Sequence, residues 1–163
     1  MRRQCDPAAL EIPMQSEWHQ HVEAVQAGVR PLHFLEGTWS GEGFSNGESV
    51  RGQLTARLVL GATFLECTEK LYNAAGELDH EDRVLYRYDS ENQTLRALHL
   101  QHPGWVAERH VDRLDDHSGI VWRGGPTLPR VQVQQLDQDT VHIAVWMPGD
   151  AEAVTQLTYK RDT

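Results

Sequence analysis

The fold is decided by the stretch Leu35-Glu36-Gly37-Thr38-Trp39-Ser40-Gly41-Glu42-Gly43, which follows a helix predicted over residues 16–27. The glycines of this stretch remove side chains where strands curve and pack closely. Trp39 alternates with them and supplies one large apolar side chain. The stretch therefore predicts the first strand of a β-barrel.

From this strand to the C-terminus, apolar residues recur with a period of two. The clearest runs are 54–60, 83–88, 141–147 and 155–161, and turn-forming residues such as Pro148-Gly149-Asp150 separate them. Such alternation between regularly spaced turns is typical of antiparallel strands joined by hairpins. The chain is predicted to be all-β: an antiparallel up-and-down barrel of about ten strands with an N-terminal helix. A barrel wider than about eight strands leaves an internal cavity.

Length, charge and cysteine use set the broad class of the protein. Residues 1–14 are predicted to form a loosely ordered tail, and residues 15–163 a single barrel domain with its helix. The net charge of −9 argues against nucleic acid and anionic membrane as partners. The sequence shows no apolar signal or membrane-spanning segment, so a cytoplasmic protein is expected. Cys5 and Cys67 lack the spacing of a metal or redox site, so both are expected to be free thiols. Whether the chain forms a homodimer is left open.

The helix, the Gly37–Gly43 strand and the meander that follows resemble the calycin superfamily, which includes lipocalins and fatty-acid-binding proteins. The arrangement is most similar to nitrobindin-like domains. This resemblance implies an intracellular barrel that holds a small hydrophobic or amphipathic ligand. Nitrobindin-like proteins bind haem through a histidine near the C-terminus, but no histidine follows His142 here, and His142 is out of phase with the apolar Val141 and Ile143. No cofactor is therefore assigned, and haem lacks its last-strand ligand.

A hairpin near the middle of the chain suggests a chemical group. If Pro103-Gly104 forms a two-residue turn, His102 pairs with Trp105, and one strand face collects a set of polar side chains: His99, Glu108 and His110. Such a set could bind a divalent metal or supply acid–base chemistry. The alternative is that this is the wet outer face of the barrel, where charged pairs across strands are common.

The opposite face of that hairpin carries Leu98 and Leu100 and is predicted to face the interior, together with Arg109. An interior arginine needs a carboxylate, an aromatic face or a ligand anion as its partner. Fatty-acid-binding barrels hold a ligand carboxylate with arginine and tyrosine, and Arg109 with Tyr86, Tyr88 and Tyr159 is similar to such a set. The alternative places Arg109 at the barrel rim, in contact with water.

The expected function is therefore non-enzymatic binding of a small, mostly apolar molecule inside the barrel. The candidate ligand-binding residues are Trp39, Leu58, Tyr86, Tyr88, Leu98, Arg109, Trp122, Ile143 and Tyr159. The alternatives are a haem-binding nitrobindin-like protein, or a small enzyme that uses the histidine, glutamate and arginine cluster. The histidines outside the central hairpin are expected to be solvated; these are His19, His21, His33, His80 and His117.

Lipocalin-like barrels add one further expectation. In them a basic residue of the last strand lies over the tryptophan of the first strand. Arg161 is in phase with Leu157 and Tyr159, so its guanidinium is expected to cover the Trp39 indole at the closed end of the barrel.

Overall fold

Ten antiparallel strands close into one barrel behind an N-terminal helix in the computed structural model, which describes residues 15–163. The predicted tail at residues 1–14 lies outside this range. Helix α1 (Gln15–Val29) leads into a 3₁₀ helix (Arg30–Leu35). The strands are β1 (Gly37–Ser45), β2 (Glu48–Val59), β3 (Phe64–Tyr72), β4 (Leu78–Asp89), β5 (Thr94–Gln101), β6 (Trp105–Arg113), β7 (Gly119–Trp122), β8 (Arg130–Asp137), β9 (Thr140–Trp146) and β10 (Thr155–Arg161).

Each strand pairs with its sequence neighbour, and β1 pairs with β10 to close the barrel. This confirms the predicted fold class, an all-β antiparallel up-and-down barrel of ten strands with an N-terminal helix. The architecture is consistent with a calycin-like fold. Closure removes free strand edges, so every strand can present one face inward and one face to solvent. No helix within residues 15–163 is long and apolar enough to cross a membrane.

The inward faces follow the period-two pattern along most of the chain. The side chains of Trp39, Tyr86, Leu157 and Tyr159 are buried as predicted, and Leu58 packs against the core while partly exposed. Val84 and Ile143 are also buried. The core therefore lies inside the barrel and continues under the helical segment.

The helical segment covers one end of the barrel. Helix α1 extends past the predicted boundary and runs through Gly28, where an added Cβ would overlap the ring of Tyr88 on β4. Gly28 thus permits close packing of α1 on β4, and the helix does not end there. The 3₁₀ helix then brings its last carbonyl to the indole of Trp39, whose Nε1 donates to Leu35 O over 2.8 Å.

The expected cover over this tryptophan is present. The guanidinium carbon of Arg161 lies 4.0 Å from the centroid of the Trp39 ring. Its Nη2 also donates to the carbonyl oxygen of Phe34 over 3.2 Å, and its Nη1 donates to that of Glu36. Arg161 therefore joins the last strand, the first strand and the 3₁₀ helix at the closed end.

The predicted register of the β5–β6 hairpin is wrong by one residue. His102 belongs to the loop 102–104, which Gly104 N closes by donating to Gln101 O over 2.7 Å, and Gln101 then pairs with Trp105. A slip of one residue moves side chains to the opposite face of a strand. His99 consequently faces the interior, whereas the Leu98 side chain is 37% exposed.

Because of this slip, the predicted metal or acid–base group of His99, Glu108 and His110 does not assemble on one face. Glu108 pairs with Leu98 and His110 pairs with Arg96, so both point outward, away from His99. On the outer face, Glu108 accepts a hydrogen bond from Arg87 over 2.9 Å. Leu100 shares the outward phase of Leu98, so the prediction that these two leucines face inward is also wrong.

Candidate functional site

A cavity of about 510 Å³ occupies the barrel interior and opens at the end opposite α1. Its deep part reaches Leu35, and its mouth is formed where β1, β5 and β9 end, by residues that include Asn46, Trp105 and Met147. The side chains of Trp105 and Met147 are 40% and 48% exposed. The cavity is therefore closed by the helical segment at one end and reaches solvent at the other.

One wall of the cavity is apolar. Strands β8 and β9 contribute Val131, Val133, Ile143 and Val145, whose side chains alternate with outward residues along each strand. Burying such aliphatic surface is favourable by about 25 cal/mol per Å². This wall suits the hydrocarbon part of a ligand.

The opposite wall, from β3, β4 and β5, is polar. It carries Glu69 on β3, His80 and Asp82 on β4, and His99 on β5. The Asp82 carboxylate lies between the two imidazoles: its Oδ1 is 3.0 Å from His80 Nε2, and its Oδ2 is 3.2 Å from His99 Nε2. We call these four residues the acid–histidine cluster.

The cluster shifts the pKa values of its members in different directions. Burial raises the pKa of Asp82, but interactions with His80 and His99 outweigh it, so the pKa of Asp82 is below its ordinary value. The Asp82 carboxylate in turn raises the pKa of His80, against the effect of burial. Burial raises the pKa of Glu69, although hydrogen bonding from Tyr159 opposes the shift. Asp82 is therefore the anion of the cluster, and Glu69 takes up a proton more readily than an exposed glutamate.

A pair of glycines explains how Tyr159 reaches this wall from β10. Gly41 pairs with both Tyr159 and Gly52, so these residues form one row across β10, β1 and β2. A Cβ at either glycine would overlap the Tyr159 side chain. The ring therefore lies over the two glycines, and its hydroxyl donates to Glu69 Oε1 on β3.

Aromatic rings contact His99, one of the two histidines of the cluster. The His99 ring lies edge-on to Trp105 and to Trp122, with centroid separations of 5.5 and 5.2 Å. Trp122 Nε1 donates to the Tyr86 hydroxyl over 3.1 Å. His99 is only 6% exposed, and within residues 15–163 neither of its ring nitrogens makes a hydrogen bond of acceptable geometry.

Arg109 points inward as predicted, but it does not face the cavity. Its side chain is 1% exposed, and its guanidinium lies 5.4 Å from the ring centroid of Trp122. Its Nη2 donates to the backbone carbonyls of Arg123, over 3.1 Å, and Pro129. Both residues lie in the segment between β7 and β8, outside the strand pairing, and their carbonyls accept from the arginine.

The structure brings three of the predicted ligand-binding residues to the cavity: Tyr86, Trp122 and Ile143. Trp39 lies at the closed end, Tyr88 packs on α1, and Tyr159 reaches the cluster only through Glu69. The cavity lining found among the described residues does not include the other predicted members, which are Leu58, Leu98 and Arg109. The tyrosine and arginine set expected for a ligand carboxylate is therefore not assembled around the cavity.

Sequence reasoning missed Glu69, His80 and Asp82. His80 is not solvated as expected but lines the cavity. The alternation of side chains along β4 could have identified them. His80 and Asp82 lie four and two residues before the buried Val84, so they point to the same face of the strand. Glu69 likewise shares the inward phase of its strand. Within the described part of the chain, no group of three or more histidine, cysteine or acidic residues is placed to hold a metal ion.

Comparison with known proteins does not assign the chain to a family. No protein-family model matches the chain, and no curated protein matches it.

Proposed function

We propose that this protein binds a small, mostly apolar molecule in the barrel cavity. The observation that carries the proposal is the cavity of about 510 Å³, which has an apolar wall and an open mouth. Cavities that bind small molecules typically span roughly 300–1,000 Å³ and combine apolar walls with a few polar groups. One fold serves many functions, so the support comes from the walls and the mouth of this cavity.

The apolar wall is the source of affinity in this account. Each buried methylene contributes about 0.8 kcal/mol. A chain of about ten carbons against Val133, Ile143 and their neighbours would therefore contribute about 8 kcal/mol, from which the cost of association is subtracted. The acid–histidine cluster would then orient the polar end of the ligand.

A nitrobindin-like haem site has weaker support. His142, the histidine nearest the C-terminus, lies on the outer face of β9, beside Gln134 on β8. The histidines that line the cavity, His80 and His99, both face Asp82 and are held within the polar wall. This donor set does not fit haem, and the proposed ligand is an organic molecule without a metal.

The test is binding of the neutral, apolar dye Nile red, followed by its fluorescence. Val133→Phe would fill the cavity and is expected to lower the affinity about tenfold or more, by loss of apolar contact area. Gln132→Phe, on the outer face of the same strand, is the matched control and is expected to leave the affinity unchanged. Equal affinities for both variants and the wild type would overturn the proposal. Native mass spectrometry of the purified protein would identify a ligand that remains bound.

A further inference from the structure

The charges of the cavity wall indicate which head group a ligand carries. Among residues 15–163, the acidic and basic side chains that line the cavity are carboxylates and imidazoles, without lysine or arginine. Asp79, near the start of β4, adds a third carboxylate to the lining. Arg109, the arginine expected to receive a ligand carboxylate, is not part of this lining, and its Nη2 donates to loop carbonyls. Because Asp82 is the anion of the cluster and the described lining holds no lysine or arginine, the wall favours a cationic head group over an anionic one.

His99 provides a second, independent observation that points to a ligand. Its side chain is more than nine-tenths buried in the cavity wall, and in the part of the chain described Nδ1 has no hydrogen-bond partner, while Nε2 lies 3.2 Å from Asp82 Oδ2 without hydrogen-bond geometry. Buried polar groups without partners are costly and rare in proteins. With a ring proton on Nε2, directed at the Asp82 anion, Nδ1 is left as an acceptor. His99 thus lacks a hydrogen-bond donor.

The aromatic rings beside His99 also favour a cationic head group. Tyr86, Trp105 and Trp122 line the cavity beside His99 and Asp82. The faces of aromatic rings attract ammonium groups, and tryptophan does so most strongly. A carboxylate, an imidazole acceptor and aromatic rings together form a setting in which an ammonium group can use each of its N–H donors.

We propose that the ligand is an amphipathic amine whose protonated head group lies against Asp82 and Glu69. Its apolar body then lies along the wall formed by β8 and β9. This inference rests on the proposed function, because it names the ligand class for the same cavity.

The experiment compares three probes that share one alkyl chain: decylamine, decanol and decanoate. Their displacement of Nile red is measured on the wild type and on Asp82→Asn and Glu69→Gln. Glu81→Gln is the matched control, since Glu81 lies on the outer side of β4 next to Asp82 and is within ion-pair distance of Lys70. Decylamine is expected to bind about tenfold more tightly than decanol, with decanoate weakest, as loss of one charge-assisted hydrogen bond predicts.

The amine preference is expected to fall in Asp82→Asn and Glu69→Gln and to persist in Glu81→Gln. A preference for decanoate or decanol, or an amine preference that neither cavity variant lowers, would overturn the amine inference while leaving apolar binding intact. Failure of all three probes and of Nile red to bind would overturn the proposed function itself. If Asp82→Asn does not fold, the ranking on the wild type and on Glu69→Gln decides the question, because the glutamine amide keeps an oxygen for the Tyr159 hydroxyl.

Discussion

The hydroxyl of Tyr159 on β10 donates to the carboxyl group of Glu69 on β3, across the two strands that separate them. The ring can make this crossing because Gly41 and Gly52 leave the space that Cβ atoms would fill. The contact fixes one carboxyl group of the polar wall and ties the last strand to the third. It therefore links the glycine pattern of the sequence to the geometry of the cavity.

Gly52→Ala is expected to destabilise the protein by about 1–3 kcal/mol, the usual cost of overpacking a well-filled site. The added methyl would overlap the Tyr159 hydroxyl and push the ring from its position. Urea unfolding measures the loss, with Thr55→Ala on the exposed face of β2 as the control. Combining Gly52→Ala with Tyr159→Phe is expected to cost less than the sum of the single changes. An unchanged urea midpoint for Gly52→Ala would show that the ring does not lie there.

Glu69 is expected to make stability depend on pH in an unusual direction. Burial raises its pKa above the ordinary value of 4.5, so the folded state binds this proton more tightly than the unfolded state. The contribution of Glu69 to the free energy of unfolding is complete below that ordinary value and is lost as pH rises through the folded-state pKa. Asp82, whose pKa is lowered, has the opposite sign: its contribution is present above its ordinary pKa and is lost as pH falls through the folded-state value.

The corresponding variant is Glu69→Gln, which removes the titration while keeping an acceptor for Tyr159. Its free energy of unfolding, relative to the wild type, is expected to rise as pH increases above the ordinary carboxyl pKa of 4.5, because the wild type must then ionise a buried carboxyl group. Urea unfolding at several pH values measures the difference. His80 titrates in both proteins, so taking the difference between their free energies of unfolding reduces its contribution to the pH dependence. A difference that stays constant across these pH values would contradict the raised pKa.

Arg161→Ala is expected to lower stability by about 1–3 kcal/mol, through loss of the cation–π contact and of hydrogen bonds to carbonyl groups. Thermal unfolding measures this loss, and Lys160→Ala, on the exposed face of the same strand, is the control. Nile red affinity is expected to stay the same, because Arg161 lies at the closed end. A melting temperature equal to that of the wild type would remove Arg161 as a stabilising cover for Trp39.

Much of the fold could be predicted from local patterns. Alternation with a period of two depends on which side chains face the core, and it identified the strands and the inward placement of Trp39 and Tyr86. The hairpin register could not be predicted as well, because it depends on whether His102 joins the loop or the strand. That single residue decides whether His99 lies inside the barrel or outside it.

The site was harder to predict than the fold. Phase alone places Asp82 and Glu69 inward, but only the pairing of β3 with β4 brings them to opposing positions. The partners of Arg109 are backbone carbonyls of the loop after β7, and no side-chain pattern identifies them. The acid–histidine cluster is thus a product of strand register, which period-two reasoning does not determine.

The central claim, that an apolar molecule binds inside the barrel, is tested most directly by two-dimensional ¹H–¹⁵N NMR during titration with decanol. We expect saturable changes at the amides of Val131, Val133, Ile143 and Val145, which line the apolar wall. Amides near Trp39, at the closed end, are expected to move little. Changes confined to the closed end or to outward-facing residues, or no change up to the solubility limit of decanol, would contradict the claim.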